Sequence, residues 1–236
     1  MTNWEAIEEF YSQKGVFICS PPGQSNETLE VETGHYFNLP ASEKDIRKLQ
    51  KKVSMPITDS HRRLLLMGNG CFLFSQKTPE GFFGGFGFYS SGELSKIHKQ
   101  EVECLKDKDS IDLYFENPDL DQQELENDKR ACLKWLDSIL IVGEEFQSDN
   151  YLAIDYSRNP SGPDHPVIFI SHEVPYEIFE EGQYDACCVL GNSIDEVLLR
   201  AAENPAEFLN EVLGGCTTYS DGKTDNDWFP DSYRTL

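Results

Sequence analysis

The chain has 236 residues, 39% of them hydrophobic and 12% aromatic, and a formal net charge of −22. That length gives one large or two small domains a real hydrophobic core, and the charge repels nucleic acid and anionic membrane while favouring encounter with a basic protein. No apolar run approaches a membrane span, and the opening "MTNWEAIEEF" is acidic and amphipathic where a secretory leader is basic and then apolar, so a soluble cytoplasmic protein is expected.

The charge is uneven. Between Lys44 and Arg63 seven Lys or Arg stand against two Asp, whereas from Trp135 onward twenty acids stand against four bases. Acidity can also serve solubility alone, so the charge by itself leaves partner capture and plain solvation both open. The seven cysteines (Cys19, Cys71, Cys104, Cys132, Cys187, Cys188 and Cys216) are odd in number and scattered, mostly among apolar neighbours, which suits free thiols in a reducing compartment. No C-x-x-C pair occurs, and adjacent Cys187 and Cys188 would point to opposite sides of a strand, so no metal site is expected.

In chain order, Trp4, Ile7, Phe10 and Tyr11 fall at helical spacing and predict a short amphipathic helix over 4–14. "SPPGQSN" (20–26) is a loop of turn formers. In "NLPASEKDIRKLQKKV", Ser42 precedes Glu43 and Asp45 in a first turn, and Ile46, Leu49 and Val53 form one apolar face. Met55-Pro56 ends that helix, and Thr58 or Asp59 caps the next, "SHRRLLLM". Gly68-Asn69-Gly70 then stands between helix and strand, with Cys71 to Phe74 as a buried strand. A phosphate-binding loop needs the reverse order, strand, glycines, helix, so the glycines read as a structural corner.

"GFFGGFGFYSSGEL" (81–94) alternates aromatics with glycines and reads as a bent strand that lets backbones approach closely. Residues 95–135 carry eleven acids against two lysines between Glu101 and Asp128 and predict a solvated, mainly helical excursion from the core. "SILIVG", "YLAIDYS" and "PVIFISHE" are three short β-rich runs separated by turn formers. "SIDEVLLRAAENPAEFLNEVLG" (193–214) is the best helix, capped by Ser193 and kinked or divided at Pro205. The tail 215–236 is polar apart from Trp228, Phe229 and Tyr233. Helices first, strands in the middle and a closing helix predict a single α+β domain around an antiparallel or mixed sheet.

This order resembles the SUKH superfamily, the group of the Smi and Knr cell-wall regulators and many bacterial immunity proteins. The carrying residues are Leu39-Pro40 and "ASEKDIRKLQKKVSMPITDSHRRLLLMGNG", in which Asn69 and Gly70 match the family's junction between second helix and sheet. "GEEFQSDNYLAIDYS" is similar to the family's acidic turn followed by a strand with Asp155 near its end. "HPVIFISHE" matches the next strand, and "LGNSIDEVLLRAAENP" the last helix. The likeness spans roughly residues 36–210. It departs where Cys71 replaces a frequent glycine, where a Glu before the Pro turn is missing, and where the 95–135 segment is longer.

The resemblance implies a SUKH-like fold and a non-catalytic immunity-type protein that binds and neutralises a toxin, without cofactor or metal. The acidity suits a basic partner such as a nuclease domain, met as a monomer or weak dimer. The residues expected to face it are Glu144, Glu145, Asp149, Asp155, Glu173, Glu177, Glu180 and Glu181, with Tyr151, Tyr176 and Tyr184 as aromatic anchors. Two other readings stand beside this one. A regulatory scaffold would recruit its partner through the acidic excursion. A hydrolase would draw on His165, His172, Glu173, Cys187 and Cys188, whose spacing shows no nucleophile paired with an oriented base.

Overall fold

The computed structural model describes residues 3–12, 17–19, 31–79, 81–114, 122–146, 150–157, 163–170, 189–203, 205 and 208. The loop expected at 20–26, the His172-Glu173 strand end, Cys187, Cys188 and the tail 215–236 lie outside the described residues.

Helix α1 (Asn3–Ser12) presents Ile7 and Tyr11 to the core, and the Tyr11 hydroxyl donates to the Leu198 carbonyl at 2.9 Å. Two strands follow, β1 (Phe17–Cys19) and β2 (Val31–Phe37). In α2 (Glu43–Gln50) the expected start is realised as a capping box: the Asp45 amide donates to Ser42 Oγ, and the Ser42 amide donates to the Asp45 carboxylate, both at 3.3 Å. Ile46 and Leu49 are its buried stripe. Gln50 then holds the Pro-containing turn at both ends, donating to the Met55 carbonyl and accepting from the Ile57 amide. Of the two candidate caps for α3 (Asp59–Met67), it is Thr58 whose hydroxyl accepts, from the His61 amide.

Residues 68–70 turn the chain from α3 into a strand beginning at Cys71, in the order of helix, glycines and strand read from the sequence. Gly68 is extended, and a Cβ there would stand 2.5 Å from the Phe37 ring. Gly70 alone takes the left-handed region, at φ 91°. Asn69 joins three segments: its Oδ1 accepts from the Ser91 amide at 2.7 Å, its carbonyl accepts from Asn38 Nδ2 at 3.1 Å, and its amide donates to the Leu39 carbonyl.

From there the chain forms β3 (Cys71–Thr78), β4 (Gly81–Phe83) and β5 (Phe86–Phe88), then α4 (Leu94–Leu105), α5 (Lys108–Tyr114) and α6 (Gln122–Leu136). The expected bent strand is two strands, β4 and β5, broken at Gly84 and Gly85, both with positive φ. The chain then runs through β6 (Ile139–Glu145), β7 (Tyr151–Asp155), β8 (Val167–Ile170), β9 (Val189–Gly191) and α7 (Ile194–Glu203). Ser193 caps α7 as expected, accepting from the Glu196 amide at 3.2 Å; beyond Glu203, Pro205 and Phe208 are helical and buried.

All described pairings are antiparallel, in the order β1-β2-β3-β5-β6-β7-β8-β9, with β4 paired to β3. The architecture is α+β, as the sequence predicts, with one difference in order: strands β1 and β2 precede the helix pair α2–α3. The expected helical segment appears as α4–α6, between β5 and β6.

One face of the sheet, carrying Leu73, Phe86, Leu140, Leu152, Val167 and Leu190 among others, packs beneath α1, α2, α3 and α7. On the opposite face, Ile139, Ile141, Ala153, Ile168 and Ile170 pack with Leu105, Ile111, Cys132, Trp135 and Leu136 of α4–α6. The excursion expected at 95–135 is therefore helical but not detached. Glu103, Asp107, Asp109 and Glu126 are exposed, and the segment's inner residues roof the second face of β6–β8.

Candidate functional site

Register brings one residue from each of six strands into a single row. Tyr36 of β2 opposes Phe72 of β3, Phe72 opposes Gly87 of β5, Gly87 opposes Glu144 of β6, Glu144 opposes Tyr151 of β7, and Tyr151 opposes Ile170 of β8. Directly opposed residues of antiparallel strands share a face, and Ile170 fixes this one as the second face.

A bulge in β6 between Ile141 and Gly143 makes the row possible. Val142 and Gly143 both fall to the first face, so Glu144 turns to the second and Glu145 back to the first, opposite buried Phe86.

One end of the row is aromatic. Phe82 of β4 stacks on Phe72 with centroids 3.8 Å apart and planes at 14°, Tyr36 lies 5.0 Å from Phe82, and Phe146 lies 5.1 Å from Phe72. All four rings are half-buried. Gly87 is necessary here, because a Cβ would stand 2.2 Å from the Cys71 carbonyl and 2.7 Å from the Phe146 ring, which occupies the space a side chain would need. Lys77 holds its ammonium 6.0 Å from the Phe82 centroid, a cation over an aromatic face.

The other end is acidic and hydroxylated. The Tyr89 hydroxyl donates to Glu144 Oε2 at 2.8 Å, and the Tyr151 hydroxyl donates to Glu101 Oε2 of α4 at 2.7 Å. Burial, then the adjacent Glu144 carboxylate, push the Tyr89 phenol well above its ordinary value, so it stays a protonated donor. One turn before Glu101, His98 Nδ1 accepts from the Ile141 amide at 3.3 Å, at the bulge itself. Burial, with Lys106 as a smaller cause, lowers the His98 pKa and keeps the ring neutral enough to accept. Helix α4 is thus pinned beside the row by two polar contacts.

Of the residues the sequence assigns to partner binding, Glu144 and Tyr151 are brought together as row neighbours. Glu145 and Asp155 are corrections: both are fully buried. Asp155 accepts from Trp135 Nε1 at 3.3 Å and from the amide and hydroxyl of Ser157, a structural anchor at the end of β7. Asp149, Glu173, Tyr176, Glu177, Glu180, Glu181 and Tyr184 lie outside the described residues. Sequence reasoning did not reach Tyr36, Phe72, Phe82, Phe146, Tyr89 or Glu101 as site residues. For Phe82 and Tyr89 the signal was the aromatic-glycine alternation of 81–89, read there only as backbone geometry.

Among the described residues no group of three or more His, Cys, Asp and Glu is arranged to hold a metal. Cys71 and Cys132 are buried, and desolvation pushes both thiols up to about 12, which removes nucleophilic character. His165 is buried against the Tyr156 ring at 4.3 Å. Among the described residues, no helix is long and apolar enough to cross a membrane.

The model of the SMI1 / KNR4 family (SUKH-1) matches residues 40–211. The chain belongs to that family. No curated protein matches the chain. The matched span begins at Pro40, just before α2, and runs past α7, so it contains the junction at Asn69-Gly70 and all of the row except Tyr36.

Proposed function

We propose that this SUKH-1 protein is a non-catalytic immunity-type binder that neutralises a basic toxin domain in the cytoplasm, acting as a monomer or weak dimer. Family membership supports a protein partner, and the observation that carries the reading is the row itself. It sets half-buried aromatics beside the carboxylates of Glu144 and Glu101 on a chain of net charge −22. Aromatic groups supply contact area at low entropy cost, and the acidic field accelerates capture of a basic partner. Asp149, Glu173, Tyr176, Glu177, Glu180, Glu181 and Tyr184 extend this surface in the proposal; Glu145 and Asp155 do not.

The test is capture from lysate of the source cells with the purified chain as bait, at low and at raised salt, followed by an assay of the captured domain's toxicity. Retention of a basic domain whose activity is suppressed, with an association rate that falls as salt rises, supports neutralisation. Capture that depends on the outer acids of α4–α6 and survives Glu144→Lys favours the regulatory scaffold instead.

A further inference from the structure

We infer that the outer face of α2, with the adjoining Leu39 and Leu66, receives an acidic segment of a second protein that carries a leucine-sized apolar anchor. The inference goes beyond the binding reading above and does not depend on it.

Helical spacing builds the face. Ile46 and Leu49 are the buried stripe of α2, and at about 100° per residue Lys44, Arg47, Lys48 and Lys51 fall on the side opposite them. All four are exposed. The acids of the helix are engaged internally: Asp45 pairs with Lys48 at 3.3 Å and closes the Ser42 cap, and Glu43 pairs with Arg62 of α3. Among the described residues, the side-chain charges of Lys44, Arg47 and Lys51 meet no carboxylate. A cationic ridge about 10 Å long thus stands on a chain of net charge −22.

The ridge has an apolar border. Leu39 is 87% exposed and Leu66 37%, although the backbone beside them is fixed. The Ala41 amide donates to the Leu65 carbonyl at 2.9 Å, and the Asn69 amide to the Leu39 carbonyl at 3.3 Å. Residues 39–41 therefore run along the last turn of α3, beside Leu66, and α2 begins two residues later. Arg62, one turn before Leu66 on the same side of α3, ties that border to the start of α2 through Glu43.

Exposed leucines on anchored backbone, beside uncompensated cations, suit a ligand that is acidic and apolar at once. Nucleic acid and anionic membrane present extended negative charge, which the field of the whole chain opposes. A short acidic segment is received locally, because screening at physiological salt acts over about 8 Å. Its apolar side chain covers the leucines. Helix α2 packs on the first face of the sheet and the row lies on the second, so the two surfaces do not compete for one partner.

The experiment is an NMR titration of the full chain with three probes. They are a short glutamate-rich peptide with a central leucine pair, the same peptide with serine for leucine, and vesicles of equal parts phosphatidylserine and phosphatidylcholine. The expected result is a saturable shift of the Leu39, Lys44, Arg47, Lys51 and Leu66 backbone resonances with the leucine peptide. The serine peptide binds about tenfold more weakly, the equivalent of burying part of a leucine side chain. Lys44→Glu combined with Arg47→Glu abolishes the shift while leaving Ile46 and Leu49 in place, and Lys134→Glu, an exposed cation of α6, does not change it. Equal response to both peptides, no response at these positions, or a response to the vesicles alone overturns the inference. So does a shift of the same resonances on raising the protein concentration without peptide, which assigns the face to a second copy of the chain. Toxin capture at the row is read separately and survives any of these results.

Discussion

The second face of the sheet is treated in two ways within one row of residues. Over β6–β8 it is aliphatic, with Ile139, Ile141, Ala153, Ile168 and Ile170 sealed beneath α4–α6. Over β2–β5 the same face is aromatic, and Tyr36, Phe72, Phe82 and Phe146 stay half-buried. The boundary falls at Glu144 and Tyr151, where α4 is pinned by Glu101 and His98. The difference teaches that apolar content alone does not set burial: the aliphatic stretch is sealed by α4–α6, whereas the flat rings keep polar neighbours and stay partly exposed, the arrangement on which the proposed partner surface rests.

The sharpest way to break this comparison is to truncate one residue on each side. Leu136→Ala empties fully buried space under the roof and is expected to lower unfolding free energy by about 2–5 kcal/mol. Phe82→Ala is expected to cost about 1 kcal/mol or less while abolishing capture of the partner. Equal losses of stability in denaturant titrations of the two variants would end the distinction.

Acid is the next largest effect, and it acts through the covered faces. His61 is fully buried, and burial lowers its pKa from 6.5 to about 4; His35, against Phe74 and Tyr11, is lowered to about 4 by the same cause. Between pH 6.5 and about 4 the unfolded chain binds protons that the folded chain does not, so stability is complete above pH 6.5 and falls with pH across that window. The loss is expected to reach on the order of 2–3 kcal/mol per histidine and to level off below it. His61→Leu should flatten the acid limb of a stability profile, and an unchanged slope would refute the assignment.

A smaller effect marks the boundary itself. Tyr89→Phe and Tyr151→Phe each remove one hydroxyl–carboxylate bond and are expected to cost about 1–2 kcal/mol. Tyr151→Phe should also raise amide exchange in α4, which loses one of its two polar pins. The mildest test separates buried from exposed thiols. Cys104 is exposed while Cys71 and Cys132 are buried, so mass spectrometry after brief alkylation should find Cys104 modified and the other two protected.

Much of the frame was legible because it rests on local chemistry. The Ser42 and Ser193 caps, the Pro56 interruption, a cap at Thr58 or Asp59, and the helix-to-strand turn at Gly70 all depend on residues within a few positions of one another. The three β-rich runs after Ile139 likewise became β6, β7 and β8. The misses have long-range causes. Strands β1 and β2 carry weak alternation, and they are defined by pairing, β1 with β2 and β2 with distant β3. The 95–135 segment looked solvated because its acids outnumber the few apolar residues that seal the sheet. Asp155 and Glu145 looked like surface acids, since nothing local announces Trp135 as a hydrogen-bond donor or a bulge that turns Glu145 inward. The row escaped notice altogether, since six strands contribute one residue each.

The junction at Asn69 has a consequence for how the chain is made. Its contacts reach Asn38, 31 residues back, and Ser91, 22 residues ahead, and no residue beyond Ser91 takes part in those bonds. During vectorial synthesis this knot can be tied while β6 to β9 are still inside the ribosome, so the first helix pair and the β3–β5 segments are registered before their sheet neighbours emerge. The later strands then add to an edge already set, and Tyr36, Phe72 and Phe82 are in place before Glu144, Phe146 and Tyr151 arrive.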